Sequence, residues 1–350
     1  MPDKINIIQF MPYYPPHKGG VEIVGRDIWI NWIKNDYWEF INIVSSFWQW
    51  EAMNMKEKIF YEDEVIWYIN NGVKVIVIPS FELVWNFPMY SMWKRRHMAK
   101  KYLFDYVRKW WNWKILTHTR FFWTTFYAWR IAKKNKLDWI HIEHGSSFVE
   151  FWSKIKSYIW YSYDKLIWWW CLRNANKVLA ISKASKKFIV NNFWRKDVEV
   201  YYRWIDAPEK IDKKQKWIKF VFVWRLIKQK WIYDLIEAYK NLKLKNELII
   251  IWDWEERKWL EDSSKWYEIS FMWNLDNIEL IDFLASNNLI IINPSYSEGM
   301  PSTVIEWLLT KNLVIASNVW WTAEISNKKD LILFNAWDKK ELEKKYIHQR

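Results

Sequence analysis

Short apolar runs alternate with amphipathic helical patterns along most of the chain. In the first part, residues 5–10, 41–45, 74–78, 115–117, 139–142 and 178–181 predict strands, with helical patterns over 21–33 and 120–134. After residue 217, residues 220–223, 248–251, 278–280, 289–292 and 313–316 predict a second strand series, with helices over 234–239 and 303–309. This alternation argues for βα units and parallel sheets. The fold class is therefore α/β: two doubly wound, Rossmann-like domains facing a cleft. Residues 1–206 form the first domain, 218–350 the second, and the polar stretch 207–217 links them. Sheets of this kind bind ligands at the carboxyl ends of their strands. The last residues, 339–350, leave room for little more than one helix, so a truncated C-terminal helix is expected.

The most informative stretch runs from Asn293 to Glu306. A strand stops at Asn293-Pro294, the chain turns, and Pro301 and Ser302 suit the first turn of a helix. A helix N-terminus presents free N–H groups and the positive end of its dipole, which suits a phosphate. Glu298 and Glu306 stand eight residues apart, about 12 Å if the spacing were helical. They cannot share one metal or act as a close acid/base pair. They can grip separate hydroxyl pairs of an extended ligand, as in a nucleotide sugar.

These residues resemble the donor-site signature of retaining glycosyltransferases of family 4: Glu298-x7-Glu306 after a Pro-Ser turn, then Val314-Ile-Ala-Ser317 and Thr322-Ala-Glu324-Ile325. Pro15-Pro16-His17-Lys18-Gly19-Gly20-Val21-Glu22 matches that family's glycine loop after the first strand. Arg225-Leu226-x3-Lys230 matches its phosphate motif. The resemblance spans nearly the whole chain and implies the GT-B arrangement. It also implies that the first domain binds the acceptor and the second the donor. By resemblance, Arg225 and Lys230 neutralise the donor diphosphate, Glu306 holds the ribose hydroxyls, and Glu298 the sugar or its adjacent loop. Gly299, Met300 and Pro301 bring backbone to the sugar, and Gly19 and Gly20 approach the diphosphate. In the first domain His144 resembles the histidine that faces donor sugar and acceptor. His118, at the end of the preceding strand, is a second candidate on the acceptor side. His141 is out of phase with His144 and reads as structural.

The net charge of +13 calls for a partner. Lys94-Arg95-Arg96-His97, Lys100, Lys101, Arg108 and Lys109 alternate with apolar residues, a pattern suited to an anionic membrane surface or to an ordinary solvated helix. The resemblance favours a membrane over nucleic acid, for which no recognition motif occurs. No apolar run reaches the roughly 18 residues that span a bilayer. The run 158–172 is interrupted by Asp164 and Lys165. The lone Cys171 and the absence of a signal-like start fit a cytoplasmic protein, peripheral on the inner face of the membrane. No Asp-x-Asp and no ligand-spaced His/Cys cluster occurs, so no metal or other cofactor is expected.

Composition raises one difficulty. The chain has 33 Trp and 6 Gly, where glycine ordinarily makes up about 7% of residues. Trp204, Trp224, Trp231, Trp252, Trp254, Trp320 and Trp321 stand where the family pattern has glycine. Trp permits neither positive φ nor close backbone approach. Two functions follow: a retaining hexosyltransferase using a nucleotide-diphosphate sugar, UDP favoured, in polysaccharide or cell-surface glycan synthesis; or a folded, inactive nucleotide- or membrane-binding protein.

Overall fold

The computed structural model describes residues 5–13, 20–34, 40–45, 59–62, 65–70, 73–78, 80–82, 88–90, 112–120, 122–148, 154–203, 205, 207–213, 218–223, 232–242, 246–251, 261–262, 264–272, 275, 277–294, 302–319, 322–325, 329–336 and 338–347. The chain forms two compact units, Met1–Arg203 and Trp204–Arg350.

The first unit is built on β1 (Asn6–Phe10), α1 (Gly20–Lys34), β2 (Phe40–Ser45), β3 (Ile59–Glu62), β4 (Val65–Asn70) and β5 (Val73–Ile78). A small hairpin, β6 (Ser80–Glu82) and β7 (Pro88–Tyr90), precedes β8 (Trp113–His118), α2 (Trp123–Asn135) and β9 (Asp138–Glu143). Then come α3 (Lys154–Tyr163), a π-helical turn (Asp164–Trp168), α4 (Trp169–Asn174), β10 (Lys177–Ala180), α5 (Lys183–Phe193) and β11 (Val198–Val200). Nine strands form one sheet in the order β11-β10-β9-β8-β1-β2-β5-β4-β3. Its pairings are parallel except for the β3–β4–β5 edge. The chain leaves β1 toward β2 and later returns to β8 on the other side of β1, so the order reverses between β1 and β8. Such a switch point opens a crevice at the carboxyl ends of the strands.

Two-residue alternation sorts this sheet's faces. Ile8, Phe10, Ile41, Ile43, Ile76 and Ile115 are buried on one face, against Tyr127, Ala128, Ile131 and Ala132 of α2 and Ile189 of α5. The 127/128/131/132 spacing is the i, i+3/i+4 stripe of a helix facing a sheet. The other face carries Gln9, which reaches the backbone of α1.

The second unit comprises β12 (Lys219–Val223), α6 (Ile232–Leu242), β13 (Leu248–Ile251), β14 (Ile269–Met272), α7 (Asn277–Ser286), β15 (Leu289–Asn293), α8 (Ser302–Leu309), β16 (Leu313–Ser317), β17 (Leu331–Phe334) and α9 (Lys339–Ile347). Its six strands run β14-β13-β12-β15-β16-β17, all parallel. Phe220, Phe222, Ile250 and Ile292 face α6 and α9, while Val221, Val223, Ile249 and Ile291 face α7 and α8. Here the order reverses between β12 and β15. The segments bearing Arg225 and Lys230, and Glu298 to Pro301, follow directly on those two strands. Both segments lie outside the described residues.

The segment 278–280, predicted as a strand, is helical within α7. Leu280 and Leu284 are buried one turn apart, a helical period that the three residues Ile-Glu279-Leu alone do not display. The edge strand is instead β14. Lys213, in the polar stretch read as a linker, donates from Nζ to the carbonyls of Leu284 (2.9 Å) and Asn287 (2.6 Å) and to Asn312 Oδ1 (2.8 Å). Its cation thus sits at the negative end of α7, and burial lowers its pKa to about 8.

One tryptophan occupies a backbone position that favours glycine. Trp194 follows α5 with φ 53° and ψ 26°, and its side chain is 69% exposed. A left-handed residue after a helix is where glycine is commonest, and a Cβ there costs roughly 1–2 kcal/mol. Trp194→Gly should therefore raise unfolding stability by about 1 kcal/mol in urea denaturation. A lower midpoint would show that the ring contact with Trp169, at 6.3 Å between centroids, outweighs the backbone strain.

Candidate active site

The carboxyl ends of β1, β8 and β9 carry polar side chains on both faces of the first sheet. Register sets the arrangement: Gln9 pairs with Asn42 on one side and Leu116 on the other, and His118 pairs with Ile142. Gln9, Asn42 and His118 therefore share a face, and His144, just past β9, joins them. The contacts form a row across four strands. Gln9 Nε2 donates to Asn42 Oδ1 at 2.7 Å, Gln9 Oε1 meets His118 Nε2 at 3.0 Å, and His118 Nδ1 meets His144 Nε2 at 3.0 Å. His118 is completely buried, whereas His144 is half-buried at the end of the row.

The opposite face carries a second network. Trp139 Nε1 donates to Thr117 Oγ1 at 2.8 Å, and Thr117 Oγ1 lies 2.8 Å from His141 Nδ1. His141 is wholly buried here, consistent with a structural role. Beyond it the chain turns sharply at Thr119, a β-branched residue held at φ 58°. Strain of this kind persists only where surroundings over-determine it. Here Thr119 N–H bonds Ile142 O at 2.9 Å, and Thr125 Oγ1 donates to the carbonyls of His118 and Thr119 at 3.1 and 2.9 Å.

That turn aims Arg120 into the interior. Its guanidinium, 2% exposed, pairs with Asp164 through Nε and Nη2 (2.9 and 3.0 Å) and with Glu143 Oε1 through Nη1 (3.0 Å). It also donates to Ser147 O at 2.8 Å and lies over the Phe188 ring, 4.5 Å from the centroid. Glu143 accepts from the Gly145 N–H at 2.6 Å and the Arg120 N–H at 3.2 Å. A Cβ on Gly145 would come within 2.8 Å of Arg120 Nη1 and 3.0 Å of Glu143 Oε1. Glycine is needed there so that backbone can pass against the ion pair. One cation and two carboxylates thus tie together β8, β9, the π-helical turn and the loop that carries His144.

Burial works against the charge on Glu143, but Arg120, His141 and the Gly145 N–H outweigh it and hold the pKa at about 2. Burial raises Asp164, with Arg120 offsetting part of the effect. Burial also keeps the two histidines of the row neutral. It puts His118 well below the usual value, helped by repulsion from His144 and His141. His144 is pushed down to about 4, burial and His141 prevailing over the pull of Glu143. Among the described residues no three His, Cys, Asp or Glu side chains converge as a metal site.

Of the residues singled out in the sequence, the fold brings His118 and His144 into contact, with His118 buried beneath rather than presented to a ligand. Gly20 is the first residue of α1, and Glu306 lies half-buried on α8. Gly19, Arg225, Lys230, Glu298, Gly299, Met300 and Pro301 lie outside the described residues, as do the basic segment 94–109 and the seven tryptophans at family glycine positions. Sequence reasoning missed Gln9, Asn42, Arg120, Glu143 and Asp164. A polar residue inside each apolar strand, in Ile-Ile-Gln9-Phe and Ile-Asn42-Ile, was the available signal.

Residues 58–208 match the family described as Glycosyltransferase Family 4, and residues 205–347 match Glycosyl transferases group 1. An uncharacterized glycosyltransferase of Methanocaldococcus jannaschii is 30% identical over 341 residues, 90% of this chain and 81% of that protein. The chain belongs to the GT-B glycosyltransferases. A putative teichuronic acid biosynthesis glycosyltransferase of Bacillus subtilis, TuaC, is 30% identical over 113 residues, 32% of this chain and 28% of its own. The glycosyltransferase also shares its fold with HepE of Anabaena, solved in complex with UDP. The TM-score is 0.71 at 13% identity, over 98% of this chain and 89% of that one. No described helix is long and apolar enough to cross a membrane.

Two outcomes follow for this glycosyltransferase. Arg120→Met leaves two buried carboxylates without their cation and should cost about 3–5 kcal/mol in urea denaturation; a loss below about 1 kcal/mol would contradict the clamp. Depressed histidine pKa values mean that the unfolded chain binds protons that the folded chain does not. Stability should therefore fall as pH is lowered from 6.5 toward about 4. His144→Asn should flatten that slope in thermal unfolding, and an unchanged slope would count against the assignment.

Proposed function

We propose that this glycosyltransferase moves a hexose from a nucleotide-diphosphate sugar, UDP-linked by preference, to a hydroxyl of a glycan or lipid-linked acceptor. Anomeric configuration is retained. The observation that carries the reading is the buried polar row that crosses the switch point of the first sheet and ends in His144. A neutral, oriented imidazole there suits a sugar hydroxyl better than a phosphate. The UDP donor draws support from HepE, solved with UDP and with UDP-glucose. A role in surface polysaccharide synthesis draws support from the name of TuaC.

In this reading the second unit holds the donor. Arg225 and Lys230 follow the carboxyl end of β12 and neutralise the diphosphate as it departs, a fixed positive field where negative charge develops. Glu306 accepts from the ribose hydroxyls, and Glu298 positions the sugar. Gly299, Met300 and Pro301, which precede α8 in the sequence, bring backbone to the donor, as do Gly19 and Gly20. The C1–O bond to the diphosphate breaks while the acceptor oxygen bonds C1 on the same face. The acceptor proton passes to a departing phosphate oxygen. The two basic side chains supply the positive charge, so the reading invokes no metal. The segment 94–109 would rest on an anionic membrane surface on the cytoplasmic side and bring the enzyme to lipid-linked acceptors.

A second reading takes its support from Trp194, which shows the chain carrying Trp at a backbone position that favours glycine. If Trp224, Trp231, Trp320 and Trp321 do the same in the donor loops, the protein keeps its architecture and binds donor poorly. Reverting those four to glycine would then raise UDP affinity, and unchanged affinity would dismiss this reading.

Arg225→Ala and Lys230→Ala should each lower donor turnover by about 100-fold or more in a UDP-release assay. Near-parental turnover would remove that residue from the mechanism. NMR of the product should show the anomeric configuration of the donor, and an inverted product would overturn retention.

A further inference from the structure

Gln9 is a wholly buried amide whose orientation is decided by its neighbours. The Gln9 Nε2 lies 3.2 Å from the Gly25 carbonyl, 2.7 Å from Asn42 Oδ1 and 3.0 Å from Met11 Sδ. A backbone carbonyl only accepts, so the amide nitrogen faces Gly25 and Oε1 is left pointing at His118. A carboxamide oxygen also only accepts, so His118 carries its hydrogen on Nε2. A neutral imidazole has a single N–H. His118 Nδ1 is therefore bare and accepts from His144 Nε2 at 3.0 Å. The hydrogen of neutral His144 is thus on Nε2 and its lone pair on Nδ1, which has no hydrogen-bond partner among the described residues.

We propose that the Gly25 carbonyl, acting through Gln9 and His118, locks His144 in the tautomer whose bare Nδ1 is left to accept a hydrogen bond from a hydroxyl of the sugar substrate. This rests on the reading of His144 as an active-site residue. Gln9 and His118 are then positioning residues: they touch no substrate, yet decide which kind of group His144 receives. A hydroxyl donates to the bare nitrogen. A carboxylate or phosphate at the same place would set acceptor against acceptor, so the sugar carries a free hydroxyl there. The lock also explains a retained glycine. A Cβ on Gly25 would run into Met11 Sδ and Cε and come within 3.2 Å of Gln9 Nε2. Any other residue would force the Met11 thioether to move and crowd the Gln9 amide.

The test is a two-bond 1H–15N correlation spectrum of the intact chain with 15N-labelled histidine at pH 7. The expected spectrum has His118 and His144 both protonated on Nε2, each with Nδ1 in the unprotonated range. A hydrogen on Nδ1 of His144 overturns the proposal, whatever the activity. In Gln9→Met the amide acceptor is gone. Both rings should then lose their single tautomer while His141, on the opposite face, keeps its signals. Unchanged His118 and His144 signals would overturn the relay. If Gln9→Met fails to fold, the parental spectrum still decides. Addition of UDP-glucose should move the His144 Nδ1 resonance in the direction of hydrogen-bond acceptance. If the spectra are as expected but His144→Ala turns donor over at the parental rate, the lock stands and the active-site reading of His144 falls.

Discussion

Moving a guanidinium and two carboxylates out of water costs several kcal/mol per ion unless their mutual attraction and every hydrogen bond are in place. Arg120 meets that condition with four partners: the Asp164 carboxylate, the Glu143 carboxylate, the Ser147 carbonyl and the Phe188 ring face. The order at the carboxyl edge of the first sheet depends on this cluster. Glu143 is bound by Arg120 and by the Gly145 N–H, so the turn that carries His144 cannot relax without exposing an unpaired charge. Asp164 opens the π-helical turn, a local widening that often marks functional positions. The strain at Thr119 belongs to the same account, since that turn drives Arg120 inward.

The two faces of the sheet divide the labour. One, with Thr117, Trp139, His141, Glu143 and Arg120, fixes the backbone. The other, with Asn42, Gln9, His118 and His144, aligns a neutral hydrogen-bonding row that ends at a partly exposed ring. Only the final member is even partly exposed. Such preorganisation matters for group transfer because oriented dipoles need no rearrangement as charge develops. The second unit has its own switch point between β12 and β15, and Lys213 binds the carbonyl end of α7.

The alternating architecture was legible from hydrophobic periodicity because strands buried on both faces leave nearly continuous apolar runs, such as Ile-Ile-Ile-Asn293 and Phe-Val-Phe-Val223. The helix at 278–280 was misread as a strand because three residues are too few to separate the two periods; Leu284, one turn on, carries the distinguishing signal. His144 and His118 were visible as histidines at strand ends. That one supports the other was not visible, because pairing register across β8 and β9 is a property of the sheet. Arg120 and Asp164 are 44 residues apart, and Asp164 appeared in the sequence only as an interruption of an apolar run. Trp194 shows how composition and backbone connect: an excess of Trp over Gly looks anomalous in the sequence, and one left-handed residue gives it a location.

The proposed transfer requires that this chain bind a UDP-linked sugar at an intact nucleotide site. Its most direct test is thermal unfolding with and without millimolar UDP, with GDP for comparison. UDP should raise a cooperative transition, with stabilisation of about 2.7 kcal/mol when ligand stands at 100 times its dissociation constant. A cooperative transition that neither nucleotide moves would contradict it.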